Sequence, residues 1–409
     1  MQPVEEASHD SGHLNNLTVE QEKTLFSFWN RILEYLGKPL DDKDRVGLSK
    51  KQIKEKDKQE KKLKDLSKSL EQVQLYDSMD SMVSVNTRNA LSMEFWGSIG
   101  REDVDVFLLR FLRARKWSLE AAFDMIIGCL KWRLQIDMRK VVMEGEMGIK
   151  TSLLQSGKTY FHGVDKQNRL VGWIKVGLHD KNGQTVEENE KFTIFQMESG
   201  RLLFPKNTET VTMVFDMSEF SLQCMDYPSL KFLIGCMEAY YPESLGVALV
   251  LNAPWIFWGC WKVIKPWLDP VVAAKVTFIK KEDLKTYISD EYIPTSYGGI
   301  SEYKYTFDDK QPTELVTPDA VELSTLTFKY ESLQEQFKHV TQQLHQYMDR
   351  EDSGEMADVR KLKQERDAMK VELNILVGKI DKMTVNKNVY QRMGILKDDD
   401  TVDWNCYKK

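Results

Sequence analysis

The sequence predicts an α/β protein with a mainly parallel sheet, a helical region before the sheet and a helical hairpin after it. Between residues 160 and 300, short apolar segments alternate with helical ones, as in strands joined by βαβ units. Leu245–Leu251 is apolar at almost every position, which is typical of a strand buried on both faces. Beyond Gly299, apolar residues recur at heptad spacing instead. We therefore expect more than one structural unit in the 409 residues.

The composition is that of a folded protein in a reducing compartment. The net charge of −6 disfavours a protein that coats nucleic acid through a global positive field, so no nucleic-acid partner is expected. Five scattered cysteines do not suit a disulfide framework. The first residues contain no apolar segment of a secretory signal. These features favour a cytoplasmic location.

Residues 17–150 are predicted to form a helical N-terminal subdomain that follows a disordered tail over 1–16. Its first helix, Leu17–Leu36, places its apolar side chains on one face. A charged insert over about 41–90 alternates Lys with Asp and Glu, and is either a solvated helix or disordered. A basic arm that binds membrane or nucleic acid is the alternative, but the acidic residues interleave too evenly for it. Helical periodicity returns over Phe95–Val142.

Residues 151–305 are predicted to form the α/β lobe. The predicted strands are Leu170–Lys175, Thr210–Phe215, Leu245–Leu251 and Val276–Ile279. The predicted helices are Phe192–Leu203, Tyr227–Tyr241, Phe257–Leu268 and Glu282–Ile288. The uncharged stretch Ser244–Trp261 has nearly the length of a membrane span. Pro254 lies inside it and disfavours a continuous helix, so strand, turn and helix is the preferred interpretation.

Residues 306–409 are predicted to form a linker and a heptad-patterned helical hairpin. One coiled-coil-like stripe contains Leu326, Tyr330, Leu333, Phe337, Val340, Leu344 and Tyr347. The second contains Val359, Leu362, Arg366, Met369, Leu373, Leu376, Ile380 and Met383. Arg366 is the one polar residue among these seam positions. The stripes either pack onto the main body or serve self-association or a protein partner through 323–385.

The sequence matches no catalytic template, and we expect no enzyme, no catalytic residue and no metal. Ser156–Thr159 copies the end of a phosphate-binding P-loop, but Ser152 stands where that motif needs glycine. The six histidines are dispersed and no zinc-type spacing occurs.

Four of the ten tryptophans fall within thirteen residues, at Trp255, Trp258, Trp261 and Trp267. Together with their apolar neighbours they predict a helix that is apolar around most of its circumference. Such a helix is either core or an element that touches an apolar ligand on one side and a membrane on the other. Lys262 and the neighbouring Lys265 favour an interfacial helix near anionic headgroups.

Several motifs resemble those of the CRAL-TRIO lipid-binding family, in particular its fungal phosphatidylinositol transfer proteins. They are Leu109–Trp117, Lys131–Arg133, Tyr240–Gly246, Asn252–Trp255, Lys265–Val271, Ile293–Pro294 and Tyr297–Gly299. The resemblance covers about Phe95–Ile300 closely, extends to the first helix, and stops before the heptad region. It implies a sheet that forms the floor of a lipid pocket. It also implies a helix that gates the pocket and contacts membrane, with Trp255, Ile256, Phe257, Trp258, Trp261, Ile264, Trp267 and Leu268.

The resemblance also implies a site for the phosphatidylinositol headgroup. Arg115, Glu243 and Lys275 match the family's headgroup residues. A phosphodiester needs a cation and a polyol needs a carboxylate acceptor, which agrees with this set. This chain has Ser244 where the family has Arg and Val272 where it has Thr, so binding is expected but weaker.

The positions that match the family's phosphatidylcholine site lack every hydroxyl. They are Phe161, Gly172, Val211 and Met213. A buried phosphate without partners costs several kcal/mol, so phosphatidylcholine is expected to be a poor ligand. The apolar character favours a second ligand without a charged headgroup, such as a sterol or isoprenoid.

The leading hypothesis is a non-catalytic phosphatidylinositol-binding and transfer protein with a gated apolar pocket, which needs no cofactor other than its bound lipid. It would contact membrane lipids peripherally, on internal membranes. The alternative is a lipid-sensing protein that recruits a partner through its C-terminal helical hairpin.

Overall fold

The computed structural model describes residues 11–37, 87–206, 208–307, 318–348 and 356–406. Most of the predicted charged insert and of the predicted linker, and the first ten residues of the predicted tail, lie outside the described residues.

Helices form the N-terminal part of the molecule. They are α1 (Val19–Gly37), α2 (Thr87–Ile99), α3 (Val104–Ala114), α4 (Leu119–Gln135), α5 (Met138–Glu144) and α6 (Thr151–Gln155). Helix α2 begins at Thr87, within the range predicted for the insert. Trp29, Phe95 and Phe111 are fully or almost fully buried in the core shared by the first four helices. The predicted apolar face of the first helix therefore packs inward.

In the described part of the chain, the sheet has five strands in the order β1-β2-β3-β4-β5. They are β1 (Thr159–Val164), β2 (Leu170–Lys175), β3 (Val211–Asp216), β4 (Leu245–Leu251) and β5 (Val276–Ile279). Strand β1 is antiparallel to β2, and the remaining pairs are parallel. The four predicted strands are present, with β3 shifted by one residue. Strand β1 was not predicted, because Gly163, at a φ of +74°, interrupts its register and its apolar run.

Helices α7 (Val186–Arg201), α8 (Tyr227–Ala239), α9 (Phe257–Ile264), α10 (Pro270–Ala274) and α11 (Leu284–Tyr287) complete the lobe. Helix α7 begins six residues before the prediction, since Thr185 and Glu188 form a capping box that starts a polar first turn. Helix α9 ends at Ile264 and a 3-10 turn, Lys265–Trp267, continues it. Pro266 has no N–H to donate to an α-helix.

The uncharged stretch over residues 244–261 forms strand β4, a turn and the start of helix α9, as the preferred interpretation required. Asn252, in the turn, adopts a left-handed φ of +56°. No helix within the described residues has the length and hydropathy needed to span a bilayer.

The heptad segments form two long helices, α12 (Ala320–Met348) and α13 (Met356–Thr384). They pair antiparallel, since Val340 and Leu344 near the end of α12 contact Leu362 near the start of α13. Phe337 is fully buried in the N-terminal core. The stripes therefore pack onto the main body.

A short C-terminal segment follows the hairpin and includes helix α14 (Val389–Arg392). Tyr390 and Trp404 are buried in the core of the α/β lobe. The backbone N–H of Phe161 donates to the Tyr390 hydroxyl at 2.7 Å. The segment thus covers β1, which is an edge strand of the sheet.

Candidate functional site

A cavity of about 340 Å³ lies between the sheet and helices α7, α8 and α9. This volume falls within the roughly 300–1,000 Å³ of small-molecule sites. Its walls are mostly apolar and include Phe192, Met213, Leu233, Ile234, Met237 and Phe257. The sheet forms the floor because β2, β3 and β4 each present side chains to the space. The interior of the lobe is therefore not filled by its own side chains.

Helix α9 and the turn after it present one face to this cavity. The side chains at helical spacing that line it are Phe257, Trp261, Ile264 and Leu268. Ile256 and Trp267 are half-buried at the margins of this face. Trp267 packs edge-on against Tyr227 of α8, with 5.7 Å between the ring centroids. Contacts from α8 and the sheet therefore hold the helix over the cavity.

The opposite face of α9 and the turn before the helix are exposed. Trp255 is 83% exposed and Trp258 is 46% exposed, although Trp258 also contacts Phe278. Lys262 and the neighbouring Lys265 are exposed on the same segment. The tryptophan-rich helix is therefore buried on the face toward the cavity and exposed on the other.

Glu243 and Lys275 lie together just before the first residues of β4 and β5. Lys275 Nζ is 3.5 Å from Glu243 Oε2, and both side chains are about a quarter exposed. Glu243 adopts a left-handed φ of +53°, which turns the chain sharply ahead of β4. Ser244 and Val272 beside them line the cavity. The ion pair therefore lies at one end of the cavity.

Arg115 lies apart from this pair. It follows the last residue of α3 and is exposed, and among the described residues its guanidinium donates only to the adjacent carbonyl of Ala114. Arg113 is half-buried, and burial lowers its pKa while the carboxylates of Glu209 and Glu243 oppose that change. Arg113 is therefore the arginine of this motif that shares the electrostatic environment of Glu243.

The four positions matched to a phosphatidylcholine site form one apolar cluster. Phe161 pairs with Gly172 across β1 and β2, and Gly172 pairs with Met213 across β2 and β3. A Cβ on Gly172 would lie 2.6 Å from Met213 Sδ, and a Cβ on Gly200 would lie 2.6 Å from Phe161 Cζ. Val211 is buried at the start of β3 and lines the cavity. Apolar side chains occupy the space at all four positions.

The sequence did not predict a polar cluster that lies at the other end of the cavity. Its members, all of which line the cavity, are Lys158, His179, Asn189, Asp226 and Ser229. Lys158 Nζ donates to Asn189 Oδ1 at 2.9 Å and lies 3.2 Å from His179 Nδ1. His179 Nε2 is 3.0 Å from Asp226 Oδ2. The residues come from four separate segments, so no local motif marks them.

The protonation states of this cluster follow from its burial. Burial lowers the pKa of Lys158 to about 8. Burial and the adjacent Lys158 lower the pKa of His179, which is therefore neutral at pH 7. The neutral ring then donates from Nε2 to Asp226 and accepts from Lys158 at Nδ1.

Two family models match this chain. The CRAL/TRIO domain matches residues 154–299, and the CRAL/TRIO N-terminal domain matches residues 51–128. The two matches together cover more than half of the sequence. The chain belongs to the CRAL-TRIO family.

Fungal proteins are among the relatives of this CRAL-TRIO chain. A CRAL-TRIO domain-containing protein of Schizosaccharomyces pombe is 37% identical over 74% of this chain and 68% of its own. Phosphatidylinositol transfer protein CSR1 of Eremothecium gossypii is 33% identical over 72% of this chain and 78% of its own. The crystal structure of Sfh5 aligns with 56% of this chain and 83% of its own, at 22% identity and a TM-score of 0.43.

Other residues of the CRAL-TRIO motifs join the helical subdomain to the lobe. Arg133 contacts Glu94 at 2.6 Å and Glu198 of α7 at 2.9 Å. The Tyr241 hydroxyl also donates to Glu198, at 2.6 Å. Burial alone would raise the pKa of Glu198, but Arg133 and Arg201 outweigh it and lower the pKa to about 2. These motif residues hold the cavity wall to the helices.

Proposed function

We propose that this protein binds phosphatidylinositol in its apolar cavity and carries it between membranes without chemical conversion. The observation that supports this best is one cavity with an ion pair at its end and a helix that faces both the cavity and the solvent. The name of the relative CSR1 supports the same lipid.

The apolar cavity offsets the free-energy cost of moving the lipid's acyl chains out of the bilayer. Each CH₂ moved from hydrocarbon to water costs about 0.8 kcal/mol, so a two-chain lipid leaves a membrane extremely slowly by itself. The walls built by α7, α8 and α9 replace those contacts with apolar side chains. An open state of α9, which bilayer contact favours over the closed state, would admit the chains.

The headgroup would bind at Glu243 and Lys275, whose 3.5 Å ion pair would open to admit it. The lysine ammonium supplies the cation for the phosphodiester, and the carboxylate accepts hydrogen bonds from inositol hydroxyls. Arg115, whose side chain is exposed, would contact the headgroup as the family motif implies. Phosphatidylcholine would be disfavoured, because the cluster of Phe161, Gly172, Val211 and Met213 offers its phosphate no side-chain donor.

The heptad stripes do not favour the alternative of a partner-recruiting hairpin. Leu333, Phe337 and Leu344 are buried within this chain, so a partner helix could reach them only by displacing α1 or α13.

The test measures transfer of fluorescent phosphatidylinositol from donor to acceptor vesicles. We expect the double variant Glu243→Gln, Lys275→Met to lose at least about tenfold in rate, since charge-assisted hydrogen bonds contribute roughly 1.5–3 kcal/mol each. A matched control is Lys285→Met, which breaks the exposed pair with Asp290 and should leave transfer unchanged. Equal rates for the double variant and the wild type would remove the headgroup assignment.

A further inference from the structure

The polar cluster around Lys158 forms a closed ring of hydrogen bonds. One arm runs from Lys158 Nζ to Asn189 Oδ1 at 2.9 Å and from Asn189 Nδ2 to Ser229 Oγ at 2.9 Å. The Ser229 hydroxyl then donates to Asp226 Oδ2 at 2.7 Å. The other arm runs from Lys158 Nζ through the His179 imidazole to the same Oδ2 atom, with separations of 3.2 and 3.0 Å. Both arms therefore begin at one cation and end at one anion.

This hydrogen-bond ring satisfies its polar groups without a ligand. Lys158 donates to both arms, and its ammonium also lies 5.1 Å from the centre of the Phe192 phenyl group, which is a cation–π contact. Hydrogen bonds that follow one another in a low-dielectric interior strengthen each other. Loss of any member would leave a buried neighbour without its partner. The hydrogen-bond ring is therefore costly to open.

Separate elements of the lobe hold the hydrogen-bond ring in place. Lys158 immediately precedes β1, and His179 follows the 3-10 turn after β2. Asn189 belongs to α7. Asp226 caps the first turn of α8, where it also accepts from the Ser229 amide at 3.1 Å. The hydrogen-bond ring thus joins the sheet to both helices.

The hydrogen-bond ring lies at the end of the cavity opposite the Glu243–Lys275 pair. Glu243 and Lys275 precede the first residues of β4 and β5, whereas His179 and Asp226 lie beyond the last residues of β2 and β3. A six-residue strand is about 20 Å long, so the two ends are separated by a distance of that order. The hydrocarbon core of a bilayer, about 30 Å thick, holds two layers of acyl chains. One lipid chain is therefore comparable in length with the cavity.

An acyl chain whose headgroup is held at the Glu243–Lys275 pair directs its terminal methyl group toward the hydrogen-bond ring. A methyl group can contact this wall without breaking a hydrogen bond. A longer chain could advance only by opening the hydrogen-bond ring, which would leave buried donors and acceptors unpaired. Otherwise its excess CH₂ groups would stay in water, which is also unfavourable.

We propose that this hydrogen-bond ring is the stop that sets the longest acyl chain the cavity accepts. Its members, above all Lys158 and Asn189, then determine which phosphatidylinositol species the protein carries. This inference rests on the proposed phosphatidylinositol transfer and specifies the ligand of that function by the length of its chains.

The test loads the full-length protein from vesicles that contain equal amounts of phosphatidylinositols with two identical acyl chains, from lauroyl to behenoyl, and of a matching phosphatidylserine series. Mass spectrometry gives the ratio of bound lipid to vesicle lipid for each chain length. We expect a nearly constant ratio for chains that fit, because their CH₂ groups pass from one apolar environment to another. Beyond the limiting length, the ratio should fall by about fourfold for each further CH₂ that stays in water. A series without such a break would overturn the proposal.

Variants then assign the limit to the hydrogen-bond ring. Lys158→Ala removes the side-chain atoms from Cγ to Nζ, and the space it leaves should move the break to chains longer by at least about two carbon atoms. Asn189→Ala opens the same wall from α7 and should move the break in the same direction, which keeps the assignment testable if Lys158→Ala does not fold. The control Lys166→Ala, at an exposed lysine of the β1–β2 turn, should keep the wild-type limit. A break that stays in place in the folded wall variants would overturn the assignment.

The phosphatidylserine series separates this proposal from the headgroup assignment. A break in phosphatidylserine alone, with no phosphatidylinositol bound, refutes the phosphatidylinositol function and leaves the stop in place. Bound phosphatidylinositol without a break refutes only the stop. If neither lipid is bound, both proposals are wrong.

Discussion

At the scale of a single residue, we expect the buried ammonium of Lys158 to make the free energy of unfolding depend on pH. Burial lowers its pKa from 10.5 to about 8. At pH values below 8, the folded and unfolded chains both hold this proton, so folding bears the full cost of burying the ammonium. Between pH 8 and 10.5 the folded chain loses the proton first, and the cost decreases as the pH rises.

We therefore expect the wild type to gain stability relative to Lys158→Met between pH 8 and 10.5, by roughly 3 kcal/mol at most. The measurement is the free energy of unfolding in urea for both proteins across this range. The comparison cancels the titration of cysteines and tyrosines, which the two proteins share. A difference that stays constant with pH would show that Lys158 has an ordinary pKa.

The sequence predicts only some of the residues of the candidate site. The family motifs led to Glu243 and Lys275, which the structure brings within 3.5 Å. The same motifs led to Arg115, which lies apart from them and exposed. The Lys158 cluster was missed because its members are up to 71 residues apart and become neighbours only when α7, α8 and the sheet enclose the cavity.

At the scale of an element, the exposed side of α9 and of the turn before it leads to a prediction about membrane binding. The variant Trp255→Ser, Trp258→Ser removes two exposed indoles and leaves the cavity-facing side chains in place. We expect binding to anionic vesicles to weaken by at least about tenfold, since one aromatic side chain moved out of water contributes roughly 1.5–3 kcal/mol.

Sedimentation with vesicles of phosphatidylcholine and phosphatidylserine measures this effect. Val321→Ser is the control, because Val321 is nearly as exposed as Trp255 but lies on α12. A loss of binding in the control, or its retention in the tryptophan variant, would contradict membrane contact through α9.

The elements themselves were more predictable than the site. Strands β2, β4 and β5 are mostly apolar segments, and their predicted bounds match the structure. Strand β1 contains His162 and Gly163, and it pairs through a bulge rather than through a regular apolar pattern. Helix α7 starts with a polar turn that hydrophobic periodicity cannot detect, although the Thr185 capping box was present in the sequence.

At the scale of the whole molecule, a buried ion pair joins the hairpin to the N-terminal helices. Arg366 makes two hydrogen bonds of 2.6 Å to Asp105, and Trp29 donates to the same carboxylate at 2.7 Å. Burial alone would raise the pKa of Asp105, but Arg366 and Lys370 outweigh it and hold the pKa well below its usual value. The heptad pattern marked Arg366 as a polar seam residue, but its partner is 261 residues away in sequence.

We expect Arg366→Met to lower the free energy of unfolding by roughly 3–5 kcal/mol, because it leaves Asp105 buried with Lys370 as its only cationic partner in the described part of the chain. The control is Lys363→Met on the same helix, whose pair with Glu22 is about one third exposed. Its loss should cost less than about 1 kcal/mol. Chemical denaturation measures the free energy of unfolding of both variants. If Arg366→Met costs no more than Lys363→Met, the buried ion pair does not hold the hairpin to the N-terminal helices.

Tyr390 accepts the amide of Phe161 across 229 residues of sequence, so the edge of the lobe is complete only once two distant segments of the chain have met. Without that contact, the Phe161 amide at the edge of β1 would be open to pairing with another chain. Because contacts between residues far apart in sequence carry a large loop-closure cost, we expect this edge to close late in folding.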